Sequence, residues 1–157
     1  MMKQLSILIE NKPGTMAEVT KVLAEEGVSI KAFSMNDTSD FGILRIIVDN
    51  IEIGQKALSS HGFGFTVTDV VAVELQDETG ALNSLLDTLH EENYNVNYIY
   101  SMVLRKVGLP LIILQIQPDD KVEDYLKSKG FIVYDMEQNE RVYGKKPNDL
   151  YARGKIG

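Results

Sequence analysis

The sequence of 157 residues contains no cysteine. Disulfide scaffolds, thiolate metal sites and thiol nucleophiles are therefore excluded. No apolar run approaches the ~20 residues that a membrane helix needs; the longest, Leu109–Leu114, has the length of a strand. Residues Met1–Glu10 alternate polar and apolar and lack the apolar centre of a signal peptide, so the expected location is cytoplasmic. Positive charge is also scarce, with 16 Lys and Arg against 23 Asp and Glu, a net charge of −7. The imbalance is uneven: residues 141–157 sum to +4 and the remainder to −11. An acidic body repels phosphate backbones, which argues against a nucleic-acid partner, and the basic tail reads as a solvated terminus. What is present suits a folded globular chain. Hydrophobic residues make up 44% and charged residues 25%, enough apolar surface to offset chain entropy.

The chain repeats itself. Glu10–Met16 lies 66 residues before Gln76–Leu82, and at this offset Gly14 meets Gly80, Leu23 meets Leu89, and Glu25-Glu26 meet Glu91-Glu92. The offset then grows to 68, where Leu58 meets Leu126 and Gly62-Phe63 meet Gly130-Phe131. The two added residues fall between Met102 and Pro110, where a hairpin loop is expected. The reading is one domain over residues 1–69, a second over 70–140 and a basic tail over 141–157.

Within the first repeat, Leu5, Ile7 and Ile9 alternate as a strand and Asn11–Gly14 is a turn. Thr15–Glu18 has the spacing of a capping box, opening a helix with Met16, Val19, Val22 and Leu23 as its apolar stripe and Gly27 as its stop. Val28, Ile30 and Ala32 begin a second strand, Ile43–Val48 is a third, Glu52–Ser60 a short helix and Phe65–Asp69 a fourth strand. The second repeat copies the order. Val71, Val73 and Leu75 form a strand, and Leu82–Glu92 a helix with Leu82, Leu85, Leu86 and Leu89 inward. Strands around Val96–Tyr100 and Leu111–Ile116, a helix over Lys121–Lys129 and a strand over Phe131–Asp135 follow. Each unit is thus βαββαβ. Right-handed crossovers place both helices on one face of a four-stranded antiparallel sheet, so the expected fold is α+β, two ferredoxin-like plaits in tandem. Units this small are marginal alone, and their third strands are apolar on both sides. The units are expected to pack together and two chains to pair as a homodimer.

Fold does not assign function. Plaits that bind heavy metals need paired cysteines, which are absent, and RNA-binding plaits need aromatic and basic middle strands, whereas Ile43–Val48 offers only Arg45. Neither His61, at a helix end beside Gly62, nor His90, among glutamates, has a second ligand at metal spacing; no metal or cofactor is expected. No Ser-His-Asp order, phosphate loop or nucleotide fingerprint occurs. An acylphosphatase-like hydrolase would need an anion-binding Arg at the first loop, where only Lys12 stands.

On the residues alone, Asn11-Lys12-Pro13-Gly14 reads first as an ordinary strand-to-helix turn. It also has the parts of a binding site. A helix start presents amide groups without intrahelical partners and a partial positive charge, which suits a carboxylate. Gly14 and Gly80 let the backbone approach a ligand, and the side-chain oxygens of Asn11 and Asp77 can accept from an α-ammonium. Hydrogen bonds to charged groups contribute roughly 1.5–3 kcal/mol each; three or four, less association costs, give a dissociation constant of about micromolar. Thr15 can cap its own helix whereas Ala81 cannot, so the second loop is expected to bind better; the competing expectation is that Asp77 or Thr79 caps that helix and negative charge there weakens carboxylate binding.

The stretch Ile9–Gly14 followed by an amphipathic helix resembles the ACT domain family of amino-acid-sensing regulatory modules. Its echo Leu75–Leu82 resembles the same motif without the proline, with Thr79 in its place. Ser34–Arg45 is similar to the hairpin of stand-alone tandem ACT proteins, and Asn97-Tyr98-Ile99-Tyr100-Ser101 to their second-repeat strand. The resemblance covers residues 3–137. It implies a free amino acid held between two paired domains, under one first-turn loop and against the second strand of a neighbour. That nominates Asn36, Asp37, Asn97, Tyr98 and Tyr100 beside the loop residues Asn11, Lys12, Pro13, Gly14, Thr15 and Met16 and their echoes Asp77, Thr79, Gly80, Ala81 and Leu82. On the residues alone, Tyr98 and Tyr100 serve equally as core or interface positions. The implied protein has no enzymatic activity, signals through ligand-dependent pairing and acts on a separate regulated enzyme or buffers its ligand. The alternative is an interaction module without a ligand.

Overall fold

A computed structural model describes residues 1–37, 39–103, 110–117 and 120–134. The expected hairpin insertion after Met102, Asp119, Asp135 and the basic tail lie outside the described residues. Contacts divide the chain into two compact units, Lys3–Asp69 and a second formed by Val70 onward with Met1–Met2. Both have the ferredoxin-like plan.

In the first unit, β1 (Met2–Glu10) leads to α1 (Thr15–Glu25), β2 (Ile30–Asp37), β3 (Phe41–Val48), α2 (Ile51–Ser60) and the start of β4 (Phe65–Glu74). The strand order is β2-β3-β1-β4, and β1 and β2 both pair with β3 antiparallel. Period-two alternation puts Leu5, Ile7 and Ile9 on the helix-facing side. There they join Leu44, Ile46 and Val48 of β3, Val19, Val22 and Leu23 of α1, and Ala57 and Leu58 of α2 in one buried core. Asn50 caps α2, its Oδ1 accepting from the Ile53 amide at 3.0 Å. His61 closes the same helix, with Nδ1 2.9 Å from the Ala57 carbonyl.

The second unit continues β4 and adds α3 (Ala81–Glu91), β5 (Val96–Val103), β6 (Pro110–Ile116), α4 (Val122–Ser128) and β7 (Val133–Tyr134). Here β4 lies between β6 and β7, and β5 pairs with the other side of β6. Its core joins Val71, Val73 and Leu75 to Leu85 and Leu89 of α3, Ile112, Leu114 and Ile116 of β6, and Val122 and Leu126 of α4. Gly27 ends α1 in the left-handed region, and Asn93, 66 residues later, does the same for α3 with φ 58°. Asn is the common substitute for glycine at this position.

Four expectations need correction. The two strands expected on either side of Asp69 are one strand, Phe65–Glu74; the β-branched residues of Thr66-Val67-Thr68 and Val70-Val71 run through the boundary without a breaker. The inward set on α3 is narrower than expected. Leu85 and Leu89 are fully buried, while Leu82 and Leu86 are exposed on the helix flank, as is Met16 on α1. The last helix spans Val122–Ser128 rather than Lys121–Lys129, and the last strand begins at Val133 rather than Phe131. Finally, there is no capping box at Thr15, as described next.

Candidate functional site

The turn after β1 is held from both sides. The Asn11 amide donates to the Asp40 carbonyl at 2.9 Å, tying the turn to the β2–β3 hairpin. Gly14 occupies the N-cap of α1 with φ 88° and ψ −12°, and no side chain caps the helix. Thr15 is the first helical residue. Its hydroxyl donates backward to the Lys12 carbonyl at 3.1 Å, and the Glu18 amide donates to the Gly14 carbonyl rather than to Thr15. With a left-handed glycine at the cap, Thr15 sits one position too far inside the helix for its oxygen to face the first-turn donors. Lys12 Nζ lies 2.9 Å from Glu10 Oε2, and this hydrogen bond and charge hold the Lys12 ammonium above the ordinary lysine pKa.

The second turn reproduces this geometry. Gly80 is the N-cap of α3 with φ 88° and ψ −2°, again without a side-chain cap. The Ala81 amide turns back to the Glu78 carbonyl at 3.3 Å, as the Thr15 amide does to Lys12 at 3.4 Å, and Ser84 donates to the Gly80 carbonyl as Glu18 does to Gly14. Neither Asp77 nor Thr79 plugs the helix start. A Cβ built on Gly14 or Gly80 would meet nothing within 4 Å. What the glycines supply is therefore the positive φ and an open approach. In both helices the second and third amides, of Met16 and Ala17 and of Leu82 and Asn83, precede the first possible i−4 acceptor within the helix. The expected difference in capping between the loops is absent.

Charge separates the two loops. Glu10 and Lys12 neutralise one another at the first, while Asp77 and Glu78 leave the second with two carboxylates. Behind the second loop a cavity of about 170 Å³ opens between the end of β4, the first turn of α3 and the α4–β7 connection, lined by Glu74, Gln76, Glu78, Ser84 and Phe131 among others. A larger, polar cavity of about 510 Å³, lined by Glu92, Asn93, Tyr94, Gln117, Asp120 and Lys121, contains none of the nominated residues.

The strand residues divide. Asn36 and Asp37 close β2 opposite Ile43 and Gly42, at the same end of the sheet as Asn11, whose turn is bonded to Asp40. With its amide oriented to satisfy both neighbours, Asn36 donates to the Met35 carbonyl and accepts from Arg45 Nη1, each at 3.2 Å. This pairing had no signal in the sequence beyond the lone Arg45 on β3. In the second unit the β4 end that leads into the loop lies by Pro110 and Val103, since the Leu75 amide donates to the Pro110 carbonyl. Asn97 and Tyr98 stand at the opposite end of β5, facing Gln115. Five residues of strand, ~17 Å, separate Tyr98 from that end. Within its own unit, Tyr98 therefore does not meet Asp77 or Gly80. Tyr98 and Tyr100 are both half-buried on one strand face. Among the described residues no group of three or more His, Cys, Asp or Glu is placed to hold a metal ion, and no helix is long and apolar enough to cross a membrane.

A family model described as an ACT domain pair matches residues 1–141. The chain belongs to the ACT domain pair family. The ACT pair is also similar to a solved structure, protein BT0572 from Bacteroides thetaiotaomicron, at 34% identity and a TM-score of 0.82, over 89% of this chain and 96% of that one. The ligand-free regulatory subunit of aspartate kinase from Thermus thermophilus shares the fold at 16% identity and a TM-score of 0.59, over 82% of this chain and 90% of that one. The corresponding regulatory subunit from Thermus flavus does so at 17% identity and a TM-score of 0.55, over 87% and 91%. No curated protein matches this sequence. In the ACT pair, each glycine-started helix follows the first strand of its own unit.

Proposed function

We propose that this ACT pair is a regulatory protein that binds a free amino acid and acts through ligand-dependent pairing of its domains or of two subunits, without catalysing a reaction itself. The observation that carries the reading is the twofold occurrence of an uncapped, glycine-started helix after the first strand of each unit. First-turn amides and the helix dipole suit the carboxylate of a zwitterion, and Asn11 and Asp77 supply oxygens for its ammonium. The proposed ligand residues are those loops, with Asn36 and Asp37 completing the first and Asn97, Tyr98 and Tyr100 supplying a wall to a loop from another unit. That last assignment follows from Tyr98 lying at the far end of its own unit. A ligand shifts a pairing equilibrium by its differential affinity for the paired state. The proposed setting is a cytoplasmic homodimer that controls a separate enzyme or buffers its ligand.

A thermal-shift screen of the twenty amino acids tests the reading. One chemically related group is expected to raise the melting temperature in a concentration-dependent way. No shift with any of them overturns amino-acid binding and leaves an interaction module.

A further inference from the structure

The larger cavity of the second unit lies away from the Gly80 loop. It opens where α3 ends, α4 begins and the β5–β6 ladder closes on the Val96–Ile116 pair. The Gly80 loop stands at the other end of that ladder, by Val103 and Pro110. The volume of about 510 Å³ falls within the ~300–1,000 Å³ of small-molecule sites. The chemistry of the wall is mixed. Glu92 and Asp120 bring carboxylates, Asn93, Asn95 and Gln117 bring amides, and Tyr94 brings an aromatic ring. Among the described residues, the side chains of Glu92, Asn93, Gln117 and Asp120 make no hydrogen bond or ion pair, and Asn95 uses only its Nδ2, which donates to Asn97 Oδ1 at 2.8 Å. Tyr94 packs on Tyr125, with ring centroids 5.8 Å apart. Lys121, the cation on this wall, is already engaged.

The first unit fills the same place differently. Val28 and Ser29 stand 66 residues before Tyr94 and Asn95, and Asp49 stands 68 before Gln117. Val28 is buried in the core. Ser29 and Asp49 satisfy each other: the Ser29 amide donates to Asp49 Oδ1 at 2.9 Å, and the Asp49 amide donates to the Ser29 carbonyl at 3.1 Å. Gly27 makes the left-handed turn that Asn93 makes in the second unit, but adds no side chain. The polar wall is thus a feature of one repeat and not of the fold.

Ligand chemistry follows by elimination. Two carboxylates repel an anion. An apolar ligand strands carboxylates and amides without partners. A zwitterion needs a cation for its carboxylate, and Lys121 is engaged. A plain ammonium uses the oxygens but leaves the amide N–H groups idle. A hydroxyl donates and accepts at one oxygen, so it serves carboxylate and amide alike. A ring bearing several hydroxyls also presents a C–H face to Tyr94. We propose that this cavity binds a small uncharged polyhydroxy compound, of the sugar or sugar-alcohol class. The site is separate from the proposed amino-acid loops, and the two are read by different probes, so either can fail alone.

Nitrogen–proton correlation NMR of the full chain tests this with ribose, glucose, mannitol and inositol as probes. At least one should shift, saturably, the backbone amides of Glu92 to Asn95 and the side-chain amides of Asn93, Asn95 and Gln117, leaving Gly80 unmoved. Glucose phosphate and putrescine should bind there about tenfold more weakly or not at all. Asn93→Gly keeps the left-handed turn, and with Gln117→Ala it removes two amides from the wall. This double variant should weaken the active probe about tenfold. If the double variant unfolds, the wild-type shifts and the two charged probes decide. No shift at these residues with any of the four probes, equal or tighter binding of the phosphate or the diamine, or unchanged affinity in the folded double variant overturns the inference.

Discussion

The two strand-to-helix loops have the same backbone and different electrostatics. Both start a helix on a glycine at φ 88°, both leave the first turn without a side-chain cap, and both turn the first amide back to the residue three before it. Yet the first carries a self-neutralising Glu10–Lys12 pair and the second carries Asp77 and Glu78. The backbone cradle is the same in both repeats while the side-chain charge around it differs. The difference reverses the ranking drawn from sequence, which relied on a Thr15 cap that does not form: a carboxylate should now prefer the first loop.

The comparison can be broken at the level of the fold first. Leu23→Ala and Leu89→Ala remove equivalent, fully buried side chains and should each destabilise by about 2–5 kcal/mol in urea unfolding. Met16→Ala and Leu82→Ala, on the exposed flank, should stay within about 0.5 kcal/mol. A large loss at Leu82 in a single-chain state would show that α3 sits deeper than α1. Next in size are the glycines. Gly14→Ala and Gly80→Ala should each cost about 1–2 kcal/mol, from φ alone, because no neighbouring atom opposes a Cβ at either position. Unequal costs would mean that the two cradles differ. The smallest effect sharpens the electrostatic contrast. A charge ~6 Å from a bound carboxylate in water is worth about 0.7 kcal/mol, so Glu78→Gln should raise carboxylate affinity at the second loop about threefold. Calorimetry against the active amino acid measures this, and an unchanged or weaker second loop after neutralisation would show that Glu78 does not oppose the ligand carboxylate.

Much of this architecture was legible in the sequence, because period-two alternation and the repeat offset are properties of the whole pattern. Leu5, Ile7 and Ile9 and their echoes Val71, Val73 and Leu75 announced the strands they form. What was not legible depended on one backbone angle or on a neighbour outside the helix. The pattern Thr15–Glu18 is a capping box only if Thr15 is the cap residue, and the left-handed Gly14 takes that place. Leu82 and Leu86 fit the helical stripe of α3, but helical spacing does not reveal how far the next layer extends over a flank. Asn93 carried no stop signal except its match to Gly27. The loops could be located from sequence as candidate sites; the opposite-end placement of Tyr98 required the strand register.

One helix shows what the others forgo. Asn50 ties down the start of α2 with its own side chain, while α1 and α3 begin bare. A glycine in that position gives up only a few tenths of a kcal/mol against the best capping residues. Leaving two helix mouths unstoppered therefore burdens the folded chain very little, and a guest that fills one has almost no incumbent to evict.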